Sequence, residues 1–159
     1  MVYPKKILTL CIIYKHPHVL LGMKKRGFGA GKWNGFGGKV ELGENIEDAA
    51  RREVYEEAGI SVRNMKKMGI IEFEFKGDPQ ILEVHIFKCA DIEGELQESD
   101  EMKPQWFDVS EIPFQKMWAD DEHWLPMALA GKRFRGKFFF DGEKSNTIIE
   151  YNLVEVKEI

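Results

Sequence analysis

The stretch GKVELGENIEDAARREVYEEAGI, residues 38–60, decides how the chain is read. Asn45 is placed to cap a helix, with Asp48 three residues on and acidic residues in the first turn. Gly59 supplies a stop, so the sequence predicts a helix over 46–58. At about 100° per residue, Ile46, Ala49, Ala50 and Val54 fall on one stripe, which faces the protein. On the same wheel Glu53 and Glu57 lie about 20° either side of Ile46, and Glu56 about 80° away. Three carboxylates are therefore expected to turn inward, while Asp48, Arg51 and Tyr55 face solvent.

Like charges at this spacing repel even when exposed, and turning them inward adds a larger desolvation cost. A hard divalent cation offsets such charge through oxygen ligands, and Mg²⁺ uses few carboxylates while keeping positions for water and phosphates. The plain alternative is a solvated acidic face. Ala49 and Ala50 beside the glutamates speak against it.

Outward from the helix, residues 7–14 and 18–23 read as strands around the turn Lys15-His16-Pro17. Residues 26–38, RGFGAGKWNGFGG, hold six glycines in thirteen positions, which suits a shaped loop with a short strand near 33–36. Beyond the helix, 68–75 and 81–89 read as strands about a turn at 76–79, and 105–109 as another. Residues 120–131 look helical, with Gly131 as a stop and Pro126 as a kink or late first-turn residue. Strands at 137–140 and 147–156 close the chain around Asp141-Gly142. This order predicts an α/β fold, a mixed sheet carrying helices.

The 159 residues are 43% hydrophobic and 31% charged, with apolar positions recurring throughout, so one domain over 1–159 is expected. A net charge of −4 argues against a general polyanion binder, though not against a small phosphorylated ligand. Cys11 and Cys89 sit in apolar strand-like runs and read as free buried thiols, which suits a reducing compartment. The N-terminal apolar run is broken by Thr9, lacks a small-residue cleavage site and is too short to span a bilayer. A cytoplasmic protein without membrane association is expected.

Gly38, five residues, Glu44, seven residues, then Arg52-Glu53-Val54-Tyr55-Glu56-Glu57-Ala58-Gly59-Ile60 matches every specified position of the Nudix box, and the chain resembles that family. The resemblance implies an α/β/α sandwich with a mixed sheet and a strand-loop-helix catalytic box at 38–60. It implies Glu53, Glu56 and Glu57 as metal ligands, joined by the Gly37 carbonyl and by Glu101 from a loop. Glu57 leads as general base and Glu101 competes with it, while Arg52 holds a carboxylate in place. The implied cofactor is Mg²⁺, with Mn²⁺ able to substitute. Metal ions neutralise a triphosphate that otherwise repels nucleophiles, and they acidify and align water.

Over nearly the whole chain the resemblance extends to Nudix members that hydrolyse oxidised purine nucleoside triphosphates. It runs through 22–31, 33–39, 73–75, 98–102 and 117–121. It implies cleavage of 8-oxo-dGTP, 2-hydroxy-dATP and related nucleotides to monophosphate and pyrophosphate, which cleans the nucleotide pool. The substrate set it implies is Thr9, Lys24, Phe28, Asn34, Phe36, Gly38, Lys39, Phe73, Trp118, Asp120 and Asp121. Purines stack on aromatic faces, which Phe28, Phe73 and Trp118 supply, with Phe73 the one best explained by packing alone. Asn34 both donates and accepts. Asp120 and Asp121 read a purine edge, one of them keeping its proton, or else simply charge a helix start. Lys39 has the alternative of an ordinary solvent-facing lysine.

Two departures stand out: Asn45 replaces the threonine usual at the cap, and Leu82 a methionine near the base. Other readings are a Nudix hydrolase of another nucleoside diphosphate derivative or of capped RNA, and a catalytically silent nucleotide-binding module. The expected partner is a small nucleoside triphosphate, with no stable nucleic acid binding and a monomeric protein. Nuclear or mitochondrial fractions accompany the cytoplasmic one in the resemblance.

Overall fold

The computed structural model describes residues 5–159, so the reading of Met1–Pro4 lies outside the described residues. Two strands open the fold, β1 (Lys6–Lys15) and β2 (His18–Lys24), antiparallel about the cis His16-Pro17 turn. They are followed by β3 (Trp33–Asn34) and α1 (Ile46–Ala58). Next come β4 (Ser61–Arg63), β5 (Lys66–Phe75), β6 (Asp78–Cys89), β7 (Asp91–Glu93) and β8 (Met102–Asp108). Two 3₁₀ turns lead to α2 (Asp121–Leu129), and β9 (Arg133–Phe140) and β10 (Ile148–Val156) end the chain.

The main sheet runs β10-β9-β5-β6-β1-β2-β3, with β8 pairing the other edge of β2. It is mixed, because β1 lies parallel to β6 and β5 parallel to β9, while the hairpin neighbours are antiparallel. The period-2 alternation sends β1 side chains to opposite faces. Cys11 and Ile13 join Ala50, Val54 and Ala58 of α1, whereas Ile12 joins Trp124, Leu125 and Ala128 of α2. The sheet is thus sandwiched between two helices, as the resemblance implied. Full burial of a side chain such as Val54 contributes roughly 1.5–3 kcal/mol, and a charge there would detach α1.

Helix α1 begins and ends where its local signals dictate. Asn45 Oδ1 accepts from the Asp48 amide at 2.8 Å, and Gly59 takes a left-handed conformation, φ 74°, with its amide on the Tyr55 carbonyl at 2.9 Å. The small β4–β7 sheet was not anticipated. The turn expected over 76–79 is tighter, because β6 starts at Asp78 and takes in Pro79, whose missing N–H is tolerated near a strand start. Strand β9 starts at Arg133 rather than 137, and the link to β10 spans 141–147. Among the described residues no helix is long and apolar enough to cross a membrane. Cys11 and Cys89 are free and buried.

Candidate active site

Strands β1 and β2 pair directly only where Ile13–Lys15 face Leu20–His18. Beyond that the glycine-rich segment wedges between them: β3 takes the edge of β2, Phe36 bridges Cys11, and Lys39 bridges Leu8. The Thr9 amide donates to the Gly38 carbonyl at 2.8 Å. This close approach requires glycine. A Cβ on Gly37 would stand 1.8 Å from the Thr9 carbonyl oxygen, and one on Gly38 would stand 2.6 Å from the Glu53 carboxyl carbon.

Under this shelf lies Glu57, only 4% exposed, with Oε1 accepting from the Gly37 amide at 2.8 Å. Burial pushes its carboxyl up to about 8; the Gly37 bond and Lys24 oppose the shift, and Glu53 and Glu101 reinforce it. Arg52 organises the neighbours. Its Nε and Nη2 grip Glu44 at 2.8 and 3.0 Å, Nη1 donates to Glu53 at 2.9 Å, and Nη2 also reaches the Lys39 carbonyl at 2.9 Å. Burial raises the Glu53 carboxyl, against the pull of Arg52, whereas the Arg52 bonds hold Glu44 below the usual carboxylate range.

A cleft of about 460 Å³ opens above Glu57, Gly37, Gly38 and Lys24, and runs along the α2 face of the sheet to Trp118, Asp120 and Asp121. Its size suits a nucleotide-sized ligand. Both aspartates are buried at the start of α2, yet Asp120 makes no side-chain cap bond. Instead Asp120 Oδ2 accepts from Trp124 Nε1 at 2.8 Å, and Asp121 Oδ2 has no hydrogen-bond partner among the described residues. These are not ordinary helix-start charges. Burial pushes Asp120 up to about 6 and Asp121 well above its usual value, the neighbouring Asp120 charge adding to the latter. Both carboxyls therefore hold a proton more readily than an exposed aspartate does.

Trp118 stacks on Phe28 with centroids 5.0 Å apart at 27°, and Lys32 Nζ sits 4.7 Å from the Trp118 centroid. Phe28 is 47% exposed, an unusual state for a large apolar ring and one that leaves a stacking surface at the mouth. Phe73 lines the cleft while packing 5.9 Å from Phe138, so it serves both packing and wall.

The residues fit a hard cation: Glu57 is a buried carboxyl facing the cleft, and among the described residues its oxygens receive one N–H bond and form no ion pair. The Gly37 carbonyl beside it accepts no backbone hydrogen bond among the described residues. All the donors in question are oxygens, the set that Mg²⁺ prefers. Among the described residues, no three acidic or imidazole side chains already converge at ligand distance.

A family model described as the NUDIX domain matches residues 5–128. The chain belongs to the Nudix family. It is 55% identical over 157 residues to the oxidized purine nucleoside triphosphate hydrolase of Danio rerio, covering 99% of each chain. It is 51% identical over 151 residues to the protein of that name from Mus musculus, covering 95% of this chain and 96% of that one. In structure it resembles a MutT protein from Bacillus halodurans, with a TM-score of 0.83 at 31% identity over 93% of this chain and 97% of that one. Nudix hydrolases generally use divalent cations, which agrees with the donor set around Glu57.

Within the Nudix cleft the structure brings together Thr9, Lys24, Phe28, Asn34, Gly37, Gly38, Glu57, Phe73, Trp118, Asp120 and Asp121. The Thr9 hydroxyl is buried there without a hydrogen-bond partner among the described residues. Four residues stand apart from the cleft lining in which the expectations placed them. The Phe36 side chain lies in the α1-side core at 0% exposure, with its N–H and C=O both paired to Cys11, so it backs the shelf and does not face substrate. Lys39 is exposed and does not line the cleft, its carbonyl being spent on Arg52. Glu56, 55% exposed, stands at the rim on Arg52 at 3.3 Å and does not turn inward. Glu101 also lies outside the cleft lining, held by Arg26 at 3.0 Å and Lys24 at 3.7 Å.

Sequence reasoning missed the role of Glu44, whose grip on Arg52 was visible only as a motif position. It also missed Glu143, which lines the cleft from the β9–β10 link and carries no local signal.

Proposed function

We propose that this Nudix protein hydrolyses oxidised purine nucleoside triphosphates, 8-oxo-dGTP and 2-hydroxy-dATP among them, with Mg²⁺, to the monophosphate and pyrophosphate. One observation carries the reading: a single cleft joins buried Glu57 and its glycine shelf to a buried pair of adjacent aspartates beside an aromatic wall. The names of the animal relatives support it. The cellular role is then to remove damaged nucleotides before polymerases use them.

At the purine end, the base lies against Trp118 and Phe28, a contact of the kind worth about 1–3 kcal/mol per base. The ionised aspartate accepts from ring and exocyclic N–H groups, and the protonated one donates to a carbonyl oxygen. Because the proton can sit on either carboxyl, the pair suits oxidised guanine and oxidised adenine alike. Asn34 Oδ1 accepts from the Gly35 amide at 3.1 Å, which leaves its amide donors for the base.

At the phosphate end, Glu57, Glu53, Glu56 and the Gly37 carbonyl are the oxygen donors that would hold Mg²⁺ or Mn²⁺, with Glu101 a reserve ligand. A bound ion supplies neutralisation of phosphate charge and acidification of water. Glu57 takes the proton of the attacking water, because its carboxyl faces the cleft and the Gly37 N–H fixes its orientation. Glu101, which lies outside the cleft lining and is tied to Arg26 and Lys24, is the weaker candidate for that step. Arg52 keeps Glu53 at its post, and Lys24 meets phosphate charge from the cleft wall.

The free buried thiols support action in a reducing compartment, the cytoplasm first, with nuclear or mitochondrial fractions. The net charge of −4 supports a small-molecule substrate over a nucleic acid, and we take the active form to be a monomer. Chromatography of the products from 8-oxo-dGTP, with NAD-capped RNA and ADP-ribose in parallel, tests the reaction. 8-oxo-dGMP plus pyrophosphate as the main products supports the proposal. A nucleoside diphosphate product, or preferential cleavage of capped RNA, sinks it.

A further inference from the structure

The segment that carries Trp118 is fastened by a residue far along the chain. Asn146 Oδ1 accepts from the Ala119 amide at 2.8 Å, and its Nδ2 donates to the Met117 carbonyl at 3.0 Å. One amide side chain thus grips the backbone immediately before and immediately after Trp118. The link that bears Asn146 is itself braced. The Asp141 amide donates to the Thr147 carbonyl at 2.9 Å, Ser145 N to the Gly142 carbonyl at 3.2 Å, and Thr147 N to Ser145 Oγ at 3.1 Å. The same link places Glu143 on the cleft wall.

We infer that Asn146 is a positioning residue of the purine pocket: it sets the Trp118 wall, and through it the start of α2 with Asp120 and Asp121, from the β9–β10 link. The inference rests on the substrate reading above. Around Trp118 the other backbone bonds are those of Met117 to the Phe114 carbonyl, at 3.2 Å, and of Asp121 to the Trp118 carbonyl, at 3.1 Å. Both are local and turn-like, so they fix the shape of the segment and not its distance from the sheet. Beside the packing of buried Met117 and the edge contact of Trp118 with Phe140 of β9, Asn146 is the polar anchor of the segment to the β9–β10 link. An amide is suited to the task because it accepts and donates from two separate atoms, whereas an ionised carboxylate only accepts.

Asn146→Ala and Asn146→Asp, set against wild type, test the inference through KM and kcat for 8-oxo-dGTP, Kd for the product 8-oxo-dGMP, and Tm. The Ala variant is expected to raise KM and Kd about five- to tenfold, the scale of one or two hydrogen bonds, with kcat held within about twofold. Selectivity for oxidised over normal purine falls in step. The Asp variant recovers part of the loss, because its carboxylate still accepts from the Ala119 amide. An active wild type with an Ala variant of unchanged KM and Kd overturns the inference alone. So does a loss confined to kcat and Tm. A wild type inert toward every oxidised purine overturns the substrate reading and takes this inference with it.

Discussion

The Gly37 amide donates to Glu57 Oε1 at 2.8 Å, so the glycine shelf and helix α1 meet at one hydrogen bond. Glu57 is buried by the fold yet opens on the cleft, an arrangement that costs desolvation until a cation or a proton arrives. Structure and chemistry are joined at that bond.

Replacing Glu57 with Gln keeps an oxygen for the Gly37 amide and removes the charge. The turnover of the substituted protein should fall about 10²- to 10⁴-fold while 8-oxo-dGMP still binds. The wild-type carboxyl is raised by burial, so its contribution to stability is full below the unfolded pKa and is lost as pH rises through about 8. Without divalent cation, the Gln variant should therefore melt higher than wild type at alkaline pH and equally in acid. Mg²⁺ should raise the wild-type melting temperature more than that of the variant. Equal Mg²⁺ shifts would show that Glu57 is not a ligand.

Gly37→Ala tests the shelf. The added Cβ would stand 1.8 Å from the Thr9 carbonyl oxygen, and the obstacle is backbone, so β1 must move. A loss of about 3 kcal/mol is expected in urea unfolding, at the upper end of overpacking costs. A variant as stable as wild type would mean that β1 and the shelf part more readily than their hydrogen bonds suggest.

Trp118→Ala removes the ring stacked on Phe28 at 5.0 Å. KM for 8-oxo-dGTP should rise by the equivalent of about 1–3 kcal/mol, with turnover at saturation much less affected. Steady-state kinetics decide it: a change confined to kcat would place Trp118 outside the base site.

Asp121→Asn mimics the protonated form of a carboxyl that burial and the Asp120 charge hold well above its usual pKa. For such a group, stability is present below the unfolded pKa and declines as pH rises toward the folded one. The Asn variant should match wild type near pH 4 and be more stable above neutrality, as followed by thermal melts across pH. It should also become less tolerant of the second oxidised base, since the proton can no longer move. A variant destabilised at high pH would contradict the shared proton.

Much of this was legible because its causes are local. Asn45 and Gly59 bracket α1 through their own caps, and the box fixes Arg52, Glu53 and Glu57 by spacing on one helix. Depth is not local. The wheel turned Glu56 inward, but it stays at the rim, 55% exposed beside Arg52. Phe36 looked like a pocket residue until the wedge between β1 and β2 buried it on the α1 side. The three-residue strands β4 and β7 pair across about thirty residues and leave no periodic signal. Asn146 acts across 27 and 29 residues from a turn-rich link, where an asparagine reads as punctuation.

The most direct test of the central claim is pyrophosphate release by the wild-type protein with Mg²⁺, comparing kcat/KM for 8-oxo-dGTP with that for dGTP. The account predicts a clear preference for the oxidised nucleotide, abolished turnover in Glu57→Gln, and a narrowed preference in Trp118→Ala. Equal kcat/KM for the two nucleotides, or release from neither, would contradict it.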